Sequence, residues 1–209
     1  MVIKRVIRRD VRSLLDGLRS KVSAAFKPLF SALASAGITP NSITIVGFLV
    51  TMLSAYFFYI TQPVYGGIIL LLSGFFDILD GGVAKISGKV TKFGGVLDST
   101  LDRYSDLIII GAIVIAGLCN LIWGIIAIIG SVMVSYVRAR GELEGVKMAG
   151  VGLMERAERI IILAAFAIAS FTWLGIIIIA VLTNFTVGQR LYHLWMELHH
   201  QAPAAQGSS

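Results

Sequence analysis

Residues 64–81 read VYGGIILLLSGFFDILDG, an apolar run that closes on two aspartates, Asp77 and Asp80. A helix that crosses a bilayer needs about 20 predominantly apolar residues, and this stretch is close to that length. Similar blocks stand on both sides of it, over residues 41–61, 94–117, 119–139, 152–171 and 173–196. Of the 209 residues, 56% are hydrophobic and 14% are charged, where a soluble domain carries roughly 25% charge. A soluble core would also show shorter amphipathic stripes with polar faces. The expected fold is therefore an all-α integral membrane protein with six transmembrane helices.

The connections alternate in character. Those after the first, third and fifth spans are very short, contain Gln62-Pro63, Asn120 and Ser170 to Thr172, and carry no charged side chain. The others hold the ionisable residues, as does the N-terminal segment. Every Lys and Arg then falls on one side of the membrane, which the positive-inside rule makes the cytoplasm, with both termini there. Trp123, Trp173, Tyr56, Tyr59 and Tyr65 fall near the uncharged turns, as an aromatic belt at the opposite interface would require.

Three regions are expected. Residues 1–36 form an N-terminal juxtamembrane amphipathic segment, residues 37–198 a six-helix transmembrane catalytic domain, and residues 199–209 a disordered tail. In the first region Lys4, Arg5, Arg8, Arg9 and Arg12 interleave with Val6, Leu14, Leu15 and Leu18 at helical spacing. That pattern suits a helix lying in the interface with its cations toward anionic headgroups; nucleic acid is not an expected partner. The first residues lack the continuous apolar core of a cleavable signal peptide, so the first span is expected to act as the insertion signal. Thr39-Pro40-Asn41-Ser42 starts that span, with Pro in the first turn and Asn or Ser at the cap. The single cysteine, Cys119, excludes an internal disulfide.

The acids gather at the charged ends of the second and third spans. Asp77 and Asp80 are three apart and Asp98 and Asp102 four apart, so each pair shares one helix face. Asp106 extends the second face inward. Four anions beside apolar surface repel one another and resist burial. Hard divalent cations, which prefer carboxylate oxygens, are the simplest compensation, and two Mg²⁺ or Mn²⁺ ions would balance the four charges. Two metals beside a phosphate-bearing substrate neutralise phosphoryl and leaving group together. Gly81 and Gly82 allow close backbone approach, Ala84 keeps the same side clear, and Lys85, Lys89 and Lys92 bring cations toward a diphosphate. A carboxylate left partly free could accept the proton of an attacking hydroxyl.

The ordered spacing Asp80-Gly81-x2-Ala84-Lys85-x8-Gly94-x3-Asp98-x3-Asp102, with Asp77 ahead of it, resembles the signature of the CDP-alcohol phosphotransferase family. The family usually has Arg at the position of Lys85, and Lys lacks Arg's bidentate fork. The resemblance implies that a CDP-lipid, built on diacylglycerol or archaeol, binds with its diphosphate at the metals. An alcohol hydroxyl attacks the phosphorus bearing the lipid, and CMP leaves. In family terms Asp77, Asp80, Asp98 and Asp102 bind the metals and Asp102 is also the base. Asn41, Asp80, Gly81, Ala84, Lys85 and Gly94 belong to the CDP site. The resemblance further implies a homodimer in the cell membrane, with its active site cytoplasmic.

The stretches Tyr136 to Glu142, Glu155 to Arg159 and Thr186 to Leu191 look like the branch whose acceptor is inositol 1-phosphate. Arg140, Lys147, Arg159 and Arg190 are cations without an obvious full set of partners, as a phosphorylated acceptor needs. Glycerol 3-phosphate would demand such cations too and stands as the alternative acceptor. Arg156 is expected to pair with Glu155, Glu158 or Glu142 in an interface network, and Arg138 to snorkel. A divalent-cation channel or transporter is the distant alternative, but acids should then recur at several depths, and here they lie toward one face.

Overall fold

A computed structural model describes residues 26–206, with side chains described through residue 199. Seven helices account for most of this length, and among the described residues there is no strand. Helix α1 covers residues 26–35, followed by α2 (Pro40–Tyr59), α3 (Pro63–Ile86), α4 (Lys92–Ile115), α5 (Leu121–Leu143), α6 (Arg156–Ile168) and α7 (Thr172–Gln206). Residues 1–25, where the basic part of the amphipathic segment was expected, lie outside the described residues.

Local chemistry sets the helix boundaries. Pro40 occupies the first turn of α2 as expected, and the cap is Thr39 rather than Asn41 or Ser42. Its Oγ1 accepts from the Ser42 N–H at 3.2 Å. Thr91 does the same for Gly94 at 3.0 Å, and Asn120 Oδ1 accepts from the Ile122 N–H at 2.9 Å. At the other ends, left-handed residues close the helices. Thr61 (φ 58°), Gly117 (φ 69°) and Ser170 (φ 64°) occupy the three uncharged turns. In each, the next residue's N–H reaches back five residues, to Phe57, Ile113 and Phe166 respectively. This pattern satisfies orphan carbonyls and reverses the chain in a minimum of residues.

The six longer elements close a ring in which α2 lies against α3 and α4, α3 against α6, α6 against α7, α7 against α5, and α5 against α4. Phe58, Ile113, Ala127, Ala164, Ala167, Ile176, Ile179 and Ala180 fill its interior. Small residues set the spacing, as helix pairs in lipid require. A Cβ on Gly130 would sit 2.1 Å from Thr183 Oγ1, so α5 and α7 meet at backbone distance. Buried hydroxyls join α2 to α3: Thr51 to Ser73, and Ser54 to the Gly66 carbonyl at 2.8 Å. Helix α1 packs on the outside of one end of the ring, its Phe30 against Ile43, Leu79 and Val83.

Four helices, α2, α3, α5 and α7, are long and apolar enough to cross a membrane. Helices α4 and α6 fall outside that set. The first fifteen residues of α4 carry Lys92, Asp98, Asp102, Arg103 and Asp106, and α6 has only 13 residues. Helix α7 also continues to Gln206, through residues where the sequence suggests a tail. Glu197, Leu198, Gln201 and Ala202 are good helix formers and let it propagate.

Candidate active site

All described charged side chains lie at one end of the ring, where α3, α5 and α7 finish and α2, α4 and α6 begin. Asp77 and Asp80 project from the last turns of α3, Asp98 and Asp102 from the first half of α4, and Asp106 from just past its midpoint. Asp80 is buried, and Thr44 of α2 donates to its Oδ2 at 2.7 Å. Thr44 stands one turn into α2, and its hydroxyl is also within reach of the Pro40 carbonyl at 3.0 Å. The first turn of α2 thus fixes one carboxylate of the cluster.

Helix α6 supplies the opposite charge. Arg156 donates from Nε to Asp77 at 3.0 Å, and its Nη1 stands 2.5 Å from Asp102 Oδ1. One turn further in, Arg159 Nη2 donates to Asp106 at 2.6 Å. The first turn of α6 therefore ties α3 and α4 together through two guanidinium groups, rather than pairing with Glu155, Glu158 or Glu142 as its own sequence neighbourhood suggested. Those glutamates have other work. Glu158 accepts from the Glu155 N–H at 3.0 Å, closing the N-terminus of α6. Glu142 pairs with Arg138 along α5.

The glycines divide by role. A Cβ on Gly82 would meet the Phe30 ring at 2.5 Å, so this glycine seats α1. Gly81 has nothing within 4 Å of the same position and leaves its side of α3 open. A Cβ on Gly94 would stand 3.0 Å from Asn41 Oδ1, which brings the starts of α2 and α4 together beside the aspartates. Ala84 is half-buried and Lys85 exposed, on the last turn of α3.

The four further cations are not equivalent. Arg159 stands beside the aspartates. Arg190 is 1% exposed, and its fork is spent on the Val151 carbonyl at 2.7 Å, the Val134 carbonyl at 2.5 Å and Glu155 at 3.3 Å. Arg140 is exposed and paired with Glu144 at 2.6 Å. Lys147 is exposed beside a cleft that Glu142, Val146 and Met148 also line. Sequence reasoning missed Arg156 and Thr44 as neighbours of the aspartates. Only the facing i, i+3 spacing of Arg156 and Arg159 hinted at a second charged face.

The donor set suits a hard divalent cation: four carboxylates, from two helices consecutive in the chain, at the charged end of the ring. Among the described residues no three acidic, histidine or cysteine side chains already converge as a cation cage, and Arg156 and Thr44 engage three of the four carboxylates.

The sequence matches the CDP-alcohol phosphatidyltransferase family over residues 37–188. It is 44% identical over 179 residues to an archaetidylinositol phosphate synthase of Pyrococcus horikoshii, covering 86% of this chain and 95% of the relative. It is 38% identical over 199 residues to a phosphatidylinositol phosphate synthase of Mycobacteroides abscessus, covering 85% and 88%. The fold is similar to crystal structures of the Mycobacterium tuberculosis phosphatidylinositol phosphate synthase, each 30% identical. With CDP-DAG bound, that structure gives a TM-score of 0.72 over 81% of this chain and 92% of its own. In complex with manganese and citrate it gives 0.73 over 81% and 88%. The aspartates spaced along α3 and α4, gathered at the charged end of a helical ring, thus stand in a chain that belongs to the CDP-alcohol phosphatidyltransferase family.

Proposed function

We propose that this protein transfers a phosphatidyl-type group from a CDP-lipid to inositol 1-phosphate, releasing CMP, with divalent cations held by Asp77, Asp80, Asp98 and Asp102. The observation that carries this reading is the face-to-face placement of acids and cations: carboxylates from α3 and α4 on one side, guanidinium groups from α6 on the other. Such a site takes a diphosphate through its metals and a second, anionic reactant through its arginines. When bound, Mg²⁺ or Mn²⁺ supplies charge neutralisation for the phosphoryl group and the leaving CMP. The names of the relatives and the CDP-DAG and manganese found in the structural neighbour point the same way.

In this reading the acceptor hydroxyl attacks the phosphorus that bears the lipid, the bond to CMP breaks, and the hydroxyl proton passes to an Asp102 oxygen. Gly81, Ala84 and Gly94 leave room for the nucleotide, with Asn41 beside Gly94 and Lys85 at the rim. Arg159, Lys147 and Arg140 attract the acceptor phosphate, while Arg190 holds the loop before α6 that presents them. The donor tails lie against the apolar outside of the ring. All of α2 to α7 traverse the bilayer, with the charged end cytoplasmic. Helix α6 is about 20 Å long and reaches less far than its neighbours, with Ala164 and Ala167 fully buried against the ring while Ile161 and Ile168 are exposed.

Purified protein given CDP-archaeol or CDP-diacylglycerol and Mn²⁺ should release CMP with inositol 1-phosphate and far less with inositol, serine or glycerol 3-phosphate. No metal-dependent CMP release with any alcohol would sink the enzyme reading. Preference for glycerol 3-phosphate would overturn the acceptor alone.

A further inference from the structure

The two arginines of α6 make pairs of different kinds. Arg159 and Asp106 are shielded, with side chains 6% and 14% exposed. Arg156 meets Asp77 and Asp102 nearer to water; these side chains are 17%, 32% and 24% exposed. A shielded pair is costly to break, because it leaves an uncompensated buried charge. A wetter pair can be exchanged, since water and other ions reach both partners.

Arg156 also reaches two different helices: its Nε donates to Asp77 of α3, and its Nη1 stands as an ion pair beside Asp102 of α4 without completing a hydrogen bond. These carboxylates are among those that the proposed function gives to metal. A guanidinium and a divalent cation cannot share the same lone pairs at bonding distance, and like charges at that range repel strongly. From this geometry we infer that Arg156 competes with divalent cations for Asp77 and Asp102, and so weakens metal affinity while keeping the carboxylates from repelling one another. The inference rests on the metal reading of the aspartates above.

A cation that takes Asp77 Oδ2 and Asp102 Oδ1 displaces Arg156 from them, and the released guanidinium remains on the first turn of α6 at the mouth of the site. Metal loading therefore frees a positive charge for an anionic reactant. The rest of α6 stays in place meanwhile. Arg159 holds Asp106, Glu158 caps the helix start, and Gly67 of α3 packs against Ala164 and Ala167. Substituting Arg156 should leave the ring assembled for the same reason.

Mn²⁺ binding to the detergent-purified full chain, read from loss of the free-ion EPR signal, tests this. Arg156→Gln should bind Mn²⁺ about tenfold more tightly than the unaltered protein, the lower end of what a charge-assisted hydrogen bond contributes. Arg156→Lys, which reaches only one carboxylate, should fall between the two and serves alone if the Gln variant does not fold. Arg138→Gln, which removes an exposed pair to Glu142, should bind as the unaltered protein does. Equal or weaker Mn²⁺ binding in both Arg156 variants, with clear binding by the unaltered protein, would overturn the competition while leaving the metal site standing. Absence of saturable Mn²⁺ binding in every protein would overturn both.

Discussion

Replacing Arg190 by Met separates two roles that a buried cation beside this site could have. The side chain is 1% exposed and joins three parts of the chain: the Val134 carbonyl of α5, the Val151 carbonyl before α6, and Glu155 at the start of α6. Met keeps the length and apolar stem and removes all three bonds. Breaking one side of a buried charged network costs about 3–5 kcal/mol. Glu155 retains a side-chain exposure of 26% and regains water, so the lower figure, about 3 kcal/mol, applies. For a chain of this size each kcal/mol moves the unfolding midpoint by about 2–4 °C, giving a fall of roughly 6–12 °C. Heating the purified variant in detergent while following circular dichroism at 222 nm measures the shift. An unchanged midpoint together with a raised KM for the phosphorylated acceptor would refute the reasoning. It would make Arg190 a substrate cation whose carbonyl bonds are expendable.

Two further substitutions probe the aspartate face. Asp102→Asn should lower CMP release by roughly 100-fold to 10,000-fold, the range of a lost general base, with the helical circular dichroism retained; near-normal turnover would remove Asp102 from that role. Gly82→Val should destabilise the fold by about 1–3 kcal/mol through the Phe30 ring, whereas Gly81→Val should leave the unfolding midpoint within a degree or two and raise the KM for CDP-lipid. Equal thermal losses in the two valine variants would contradict the division between a glycine that seats α1 and one that leaves the surface open.

The helices were legible because apolar length and turn chemistry are local. The three uncharged turns at Thr61, Gly117 and Ser170 fall where the sequence breaks its apolar blocks, and the pairs Asp77/Asp80 and Asp98/Asp102 share faces as their spacing requires. What local pattern could not supply was the partner across the ring. Arg156 is flanked by glutamates, yet it turns to Asp77 and Asp102, because the ring places α6 beside α3 with α4 within side-chain reach. Gly82 reads in sequence like its neighbour Gly81, and only the packing of α1 tells them apart. Arg190 looked like a free cation because its two carbonyl partners are backbone groups, which carry no side-chain signature.

The three uncharged turns also bear on how the chain reaches its membrane. Paired as α2 with α3, α4 with α5 and α6 with α7, the helices form hairpins whose tips, around Thr61, Gly117 and Ser170, hold no charged side chain. Pulling a charge through the hydrocarbon centre costs about 2.5–3.5 kcal/mol even on the lenient scale. In the topology proposed above, a hairpin tip without charge avoids that barrier, and each pair crosses as a unit with its charged ends left on the cytoplasmic side. The order of insertion then follows the order of translation. A single lysine placed at one tip would obstruct the passage of that hairpin alone, before any catalytic group had been assembled.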